Sequence, residues 1–266
     1  MCSFSFLLLD HRYPMRFKFA FRLSFYHLLI SLVVACLTAG LVFIVWYPSP
    51  FEALLSVSSI YLLLLFVDVV CGPMLTMVLA DPLKSRRELS LDLGLVAVIQ
   101  LLALFYGIYS VALGRPVAVV FEKDRYVVVS ASEVSEKHLA EANSPFNNIP
   151  LIGIQYLSVR NPSGSDEFLE SLDLSLQGVS PSMRPNWWQD YDVAVDEIAK
   201  KALPLQNLHN SRSSADKILL DKAIADSGSS ANNLYYLPVV SATVTDWVAL
   251  LDSNYKIVAY AHVNGF

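Results

Sequence analysis

The chain begins with three long apolar stretches and then changes character. Tyr26 to Trp46 is apolar and ends in Trp46-Tyr47-Pro48, a second run extends from about Leu54 to Ala80, and a third from about Leu93 to Leu113. Each reaches the roughly 20 residues that a helix needs to cross a bilayer core. Aromatic residues at the end of the first run suit the headgroup level, and the proline then stops the helix. This run exceeds the about 7–15-residue apolar core of a cleavable signal, so it is expected to be a retained span. A basic stretch opens at Met15, which makes Met15 an alternative start and residues 1–14 an extension.

Beyond Arg115-Pro116 the apolar runs shorten. Val117–Phe121 and Tyr126–Ser130 flank Glu122-Lys123-Asp124-Arg125 and predict a hairpin. Helices are predicted over Ser132–Ala142, Ser165–Leu176, Asn186–Leu203 and Ala215–Ser227. In Asn186–Leu203, the residues Trp188, Tyr191, Val195, Ile198 and Ala202 fall on one helical face, and Gly228 stops the last helix. Strands are predicted over Ile152–Arg160, Thr243–Leu251 and Lys256–Val263, the last two joined as a hairpin through Asp252-Ser253-Asn254-Tyr255. Ser144–Pro150, Gly178–Arg184 and Leu205–Ser214 read as loops. The expected fold is a membrane protein: a segment 1–25, three transmembrane helices within 26–114 (about 26–46, 54–80 and 93–113), then an α+β domain over 115–266 with a largely antiparallel sheet.

Charge sharpens this division. The chain is 55% hydrophobic but only 16% charged, against roughly a quarter charged in ordinary soluble domains. Residues 1–115 hold 8 Lys and Arg against 6 Asp and Glu, whereas residues 116–266 hold 11 against 18, a net charge of −7. An acidic domain offers no footprint for nucleic acid. Basic residues also orient the spans. Arg16, Lys18 and Arg22 precede the first, Lys84, Arg86 and Arg87 lie between the second and third, and Tyr47–Ala53 has none. By the positive-inside rule the N-terminus and the loop Asp81–Asp92 are cytoplasmic, and the C-terminal domain lies outside.

One acid interrupts the second run. Asp68 sits in Leu65-Phe66-Val67-Asp68-Val69-Val70. A charge at mid-bilayer costs at least about 2.5–3.5 kcal/mol, so it marks a function or a specific partner. Pro73, five residues on, frees a carbonyl, assigned here to Val69, and Gly72-Pro73 predicts a kink. At matching depth stand Thr38 and Tyr106, with Gln100 about two turns lower, and Thr76 follows the kink; these are the expected partners. A proton relay or small transporter using Asp68 calls for a chain of ionisable groups. A polar clamp between helices, or contact with a partner helix, asks only for hydrogen bonds and is the preferred reading. Small residues Ala35 and Gly40 of the first span, with Gly72 of the second, offer close packing for such a helix.

Catalytic patterns are missing: there is no Gly-x-Ser-x-Gly, Gly-x-Gly-x-x-Gly, P-loop or His-Glu-x-x-His. Cys2, Cys36 and Cys71 form no metal or redox pattern, and His138, His209 and His262 are scattered over different elements. No cofactor, metal or enzyme activity is expected. Trp187, Trp188 and Tyr191 form a candidate partner surface on the domain; core anchoring at a helix start is the plainer reading of the same aromatics.

The membrane half resembles the type IV pilin accessory proteins (TfpX/TfpZ type). The resemblance rests on Trp46-Tyr47-Pro48, on Val67-Asp68-Val69-Val70-Cys71-Gly72-Pro73-Met74-Leu75-Thr76, on Lys84-Ser85-Arg86-Arg87-Glu88-Leu89, on Gln100 to Tyr109 and on Arg115 to Tyr126, in order. Beyond residue 130 it thins to Arg184-Pro185 and Tyr236-Leu237-Pro238, and the ending Asn264-Gly265-Phe266 departs from it. The resemblance implies a Gram-negative inner-membrane protein with no enzyme activity, which promotes assembly of its cognate type IV pilin in contact with the pilus assembly machinery. A membrane-anchored periplasmic sensor or adaptor is the alternative; the cytoplasmic loop of about a dozen residues is too short for an output module.

Overall fold

Residues 12–266 are described by the computed structural model. The expected start at Met15 concerns residues 1–14, of which 1–11 lie outside the described residues. The chain forms two compact units. One runs through Val45 and resumes at Ser56–Ala112; the other joins Trp46–Leu55 to Leu113–Phe266.

The first unit is built from three helices long and apolar enough to cross a membrane, Met15–Trp46, Val57–Leu79 and Arg86–Gly114. Helix α1 (Arg12–Gly40) runs on through π turns over Leu41–Trp46. The short α2 (Phe51–Leu54) belongs to the other unit. The second span is composite: α3 (Val57–Phe66), a π turn over Val67–Cys71, then α4 (Gly72–Leu79). Helix α5 (Arg86–Gly114) starts earlier than its apolar run because Ser85 and Glu88 cap it reciprocally. Leu37, Ile44, Leu63, Val78 and Leu102 are exposed along these helices.

The second unit is a mixed sheet covered on both faces. Its strand order is β4 (Trp188–Asp190), β3 (Gln155–Val159), β1 (Pro116–Glu122), β2 (Arg125–Ser130), β6 (Tyr235–Val240), β7 (Trp247–Leu251), β8 (Ile257–Ala261), with β5 (Leu203–Pro204) paired to β6. The predicted hairpin forms as β1 (Pro116–Glu122) and β2 (Arg125–Ser130). Helix α6 (Glu136–Glu141) is shorter than expected, following a tight turn over Ala131–Glu133. Strand β3 (Gln155–Val159) lies parallel to β1. Helix α7 (Ser165–Leu176) has the expected bounds.

The expected helix over Asn186–Leu203 is a correction. Trp188–Asp190 is instead strand β4, antiparallel to β3, because the free backbone edge of β3 takes these residues as ladder partners. Only α8 (Val195–Lys201) is α-helical there. Strand β5 (Leu203–Pro204) follows, and the expected loop Leu205–Ser214 contains helix α9 (Leu205–Ser211), which buries Leu205 and Leu208. Helix α10 (Ser214–Ser227) starts on the Ser213 cap and stops at Gly228, left-handed at φ 66°.

Strand β6 (Tyr235–Val240) lies outside the expected strands and holds Pro238 in its interior, a position where proline normally removes a ladder bond. Pro238 lies where one edge of β6 passes from pairing with β5 (Tyr235, Tyr236) to pairing with β2 (Val239, Val240), so no ladder bond is needed there on that edge. β7 (Trp247–Leu251) and β8 (Ile257–Ala261) complete the sheet. Two pairings are parallel and the rest antiparallel.

Alternation along the strands supplies two cores. Val119, Phe121, Leu237, Val239, Ala249 and Leu251 face one layer. Ala118 and Val120 with Leu157, and Val248 and Leu250 with Leu220, face the opposite layer in two clusters. Phe51 and Leu54 of α2 sit in the first layer, 3% and 0% exposed. Phe51, expected in the loop Tyr47–Ala53, and Leu54, expected to open the second span, are therefore part of the domain core.

Candidate functional site

Within the three-helix unit the polar side chains gather around the break in the second span. Pro73 has no amide hydrogen to give. Where the backbone widens into a π turn over Val67–Cys71, the donor for a carbonyl comes from five residues on. Residue 73 is five on from Asp68, so the Asp68 carbonyl, rather than that of Val69, loses its donor. Gln100 Nε2 supplies the replacement, donating to this carbonyl at 3.2 Å.

Glycine at 72 is what permits that approach. A Cβ at Gly72 would lie 1.9 Å from Gln100 Nε2. A second close approach, Gly107 against Leu64, brings α5 onto α3 in the same way, with a Cβ there 2.3 Å from Leu64 Cδ1. On the other side of the break, Ser24 Oγ donates to the Pro73 carbonyl at 2.7 Å, and His27 Nδ1 lies 2.5 Å from Thr76 Oγ1. The first and third helices thus both bond the kinked segment.

Asp68 itself is 8% exposed. Its Oδ1 and the Gln100 Oε1 are buried with no hydrogen-bond partner among the described residues. The amide oxygen is an acceptor, and the carboxyl oxygen accepts when ionised and can donate when protonated. Asp68, Gln100, His27 and Ser31 line a cavity of about 190 Å³, otherwise walled by apolar side chains such as Val34 and Leu104. The arrangement calls for a hydrogen-bond donor.

The expected partners divide. Gln100 and Thr76 lie at the kink, as described. Thr38 does not bond Asp68: its hydroxyl lies 3.0 Å from that of Tyr61, which donates to the Ala35 carbonyl at 2.6 Å. Tyr106 is 74% exposed and turned away from the cavity, because its position on α5 falls on the outer face. Gly40 has nothing near its Cβ direction. His27 was missed by the sequence reading; its spacing of four residues before Ser31 on one helical face was the available signal.

Charged groups cluster at one end of this unit. Arg16 Nε lies 3.4 Å from Asp81 Oδ2, and Lys84 Nζ 2.6 Å from Asp92 Oδ2, with a further bond to the Leu79 carbonyl. Arg22 stacks on Tyr26. Lys18, Arg86 and Arg87 form no ion pair among the described residues.

The aromatic candidates of the second unit correct the surface expectation. Trp187, Trp188 and Tyr191 are all buried. Trp188 Nε1 donates to the Ser182 carbonyl at 2.8 Å. The guanidinium groups of Arg160 and Arg184 both lie over the Trp187 ring, 4.6 and 4.4 Å from its centroid. The Tyr191 hydroxyl donates to the Tyr255 carbonyl and pairs with the Tyr126 hydroxyl, each at 2.6 Å. Burial pushes the Tyr191 phenol up to about 12. The plainer reading, core anchoring, describes these residues. Groups of His, Cys, Asp and Glu able to hold a metal ion do not occur among the described residues.

Comparison with known proteins converges on one kind of protein. The family model described as "Fimbrial assembly protein FimB" matches residues 15–56. "Fimbrial assembly protein, serogroup I" of Dichelobacter nodosus is 34% identical over 251 residues, covering 94% of this chain and 98% of the relative. The serogroup E1 protein of the same organism gives the same figures. The protein of serogroups C1 and C2 is 43% identical over 127 residues, 48% of this chain and 97% of that relative. No solved structure matches the chain significantly.

Proposed function

Since the chain belongs to the fimbrial assembly protein family, we propose that it is a non-enzymatic inner-membrane accessory factor that binds its cognate type IV pilin and promotes that subunit's assembly or stability. The N-terminus and the loop after the second span face the cytoplasm in this reading, and the sheet domain faces the periplasm. The distribution of Lys and Arg supports that orientation.

One observation carries the binding role: the buried, unpartnered Asp68 Oδ1 beside Gln100 Oε1. A buried acceptor without a donor costs about 1–3 kcal/mol. A helix that enters from the lipid and brings a polar donor to this cavity recovers that cost, and small residues let it come close. A subunit with an apolar helix in the bilayer and a head in the periplasm would meet both units.

The test is made in fimbriated cells. A photo-crosslinker at Leu104, on the cavity wall, is expected to trap the fimbrial subunit, and Asp68→Leu is expected to reduce that crosslink and surface fimbriation together. Full fimbriation in a clean deletion, with the cognate subunit expressed, would sink the proposal.

A further inference from the structure

Helix α7 is amphipathic in the wrong direction for a helix packed on a core. Four of its five apolar residues, Phe168, Leu169, Leu172 and Leu176, are 52%, 61%, 49% and 81% exposed, Leu174 is half-buried, and Ser171 is its buried residue. The cause is Arg184, 1% exposed. Its Nη2 donates to Ser171 Oγ at 2.7 Å and its Nε to the Ser180 carbonyl at 3.3 Å. A buried guanidinium needs such acceptors, so the polar face of α7 is drawn inward. Arg160 fixes the start of the helix through Glu167.

The outward stripe is more than scattered apolar surface. Its four side chains are contiguous at helical spacing, and contiguous exposed apolar patches mark interaction sites. Beside it, Phe168 and Leu172 wall a groove of about 160 Å³ whose other sides combine apolar Phe121, Pro162 and Trp187 with two acids, Glu122 and Glu197, and two bases, Lys123 and Arg160. Such a groove takes one apolar anchor side chain. Along the other edge of the stripe lie the exposed carboxylates of Asp166, Glu170 and Asp173. They repel an anionic lipid surface and complement a protein surface in which Lys or Arg flanks an apolar anchor.

We propose that the α7 stripe and its groove are the surface on which the domain receives the head of the fimbrial subunit, through an apolar side chain flanked by basic residues. This rests on the subunit being the partner, as proposed above. The experiment uses the full-length protein in zwitterionic lipid nanodiscs and the purified cognate subunit. Leu169→Asp/Leu172→Asp is expected to weaken binding at least tenfold with unchanged thermal unfolding. Asp166→Lys/Glu170→Lys/Asp173→Lys is expected to weaken it and to abolish its loss with added salt. Unaltered binding by both variants overturns the docking surface and leaves the subunit as partner. Failure of the unsubstituted protein to bind the subunit overturns the partner reading and this surface with it. Preferential binding of the unsubstituted protein to anionic vesicles, lost in Leu169→Asp/Leu172→Asp, assigns the stripe to lipid and also overturns the proposal.

Discussion

The Ser241 hydroxyl donates a hydrogen bond to the Leu54 carbonyl at 3.0 Å, across 187 positions of sequence. Leu54 is fully buried and Phe51 meets Tyr260 edge-to-face at 5.6 Å between ring centroids. The short segment between the first two long helices is thus closed over by the last strands of the chain. The sheet domain is incomplete without residues that precede it by some 60 positions.

Leu54→Ala is expected to destabilise the domain by about 3 kcal/mol, within the range for a buried leucine whose site cannot collapse. Urea unfolding of the full chain, followed by tryptophan fluorescence, reads this as a lower midpoint. An unchanged midpoint would show that α2 does not belong to the domain core.

Gly72→Ala places a methyl group against the Gln100 amide, 1.9 Å from Nε2. That amide is the free end of a flexible side chain and swings aside, giving up its bond to the Asp68 carbonyl, so the expected outcome is a modest fall in protein level in membranes, set by the loss of one hydrogen bond of about 1 kcal/mol. Gln100→Ala removes the same bond, so the double variant should fall no further than either single one; an additive loss would mean that the methyl group at position 72 meets something other than the Gln100 side chain.

Tyr191→Phe removes the donor to the Tyr255 carbonyl and the acceptor for Tyr126. The Tyr126 hydroxyl is left unpaired in the core, while the Tyr255 carbonyl is only part-buried, so a loss of about 1 kcal/mol is expected. Tyr126→Phe, which leaves the Tyr255 bond in place, should cost less. The two unfolding midpoints, compared directly, check this order.

His138 gives the domain a pH dependence. It is buried, its Nδ1 lies 2.6 Å from Ser135 Oγ, and burial holds its pKa below the ordinary value. Glu141 and Glu170 oppose that shift, while Arg184 and Lys137 add to it. The unfolded chain therefore binds the proton more readily. The stabilisation is fully present above about pH 6.5 and is lost as pH falls through the depressed folded value. Thermal unfolding between pH 7.5 and 5 should show this decline, and His138→Gln should flatten it.

Much of the architecture is legible in the order of residues. Three apolar runs of spanning length, the hairpin around Glu122–Arg125, the helix Ser165–Leu176 and the glycine stop at Gly228 each follow from local period and local turn chemistry, which need no distant neighbour. The Asp68–Pro73 break is equally visible, since an acid in an apolar run and a missing amide hydrogen are properties of the residues themselves.

What those elements touch is decided by the tertiary structure. Trp188–Asp190 carries a helical pattern yet pairs as a strand, because the open edge of β3 offers backbone bonds. Pro238 sits inside a strand at a place where one edge changes partner. Tyr106 is exposed on the outer face of α5, while His27 and Gln100 line the cavity beside the kink. Helix α7 was recognisable as amphipathic from its spacing. Which side it shows to solvent was set by Arg184, 13 residues from Ser171 and buried beneath it, since a buried cation must find its acceptors wherever the fold places them.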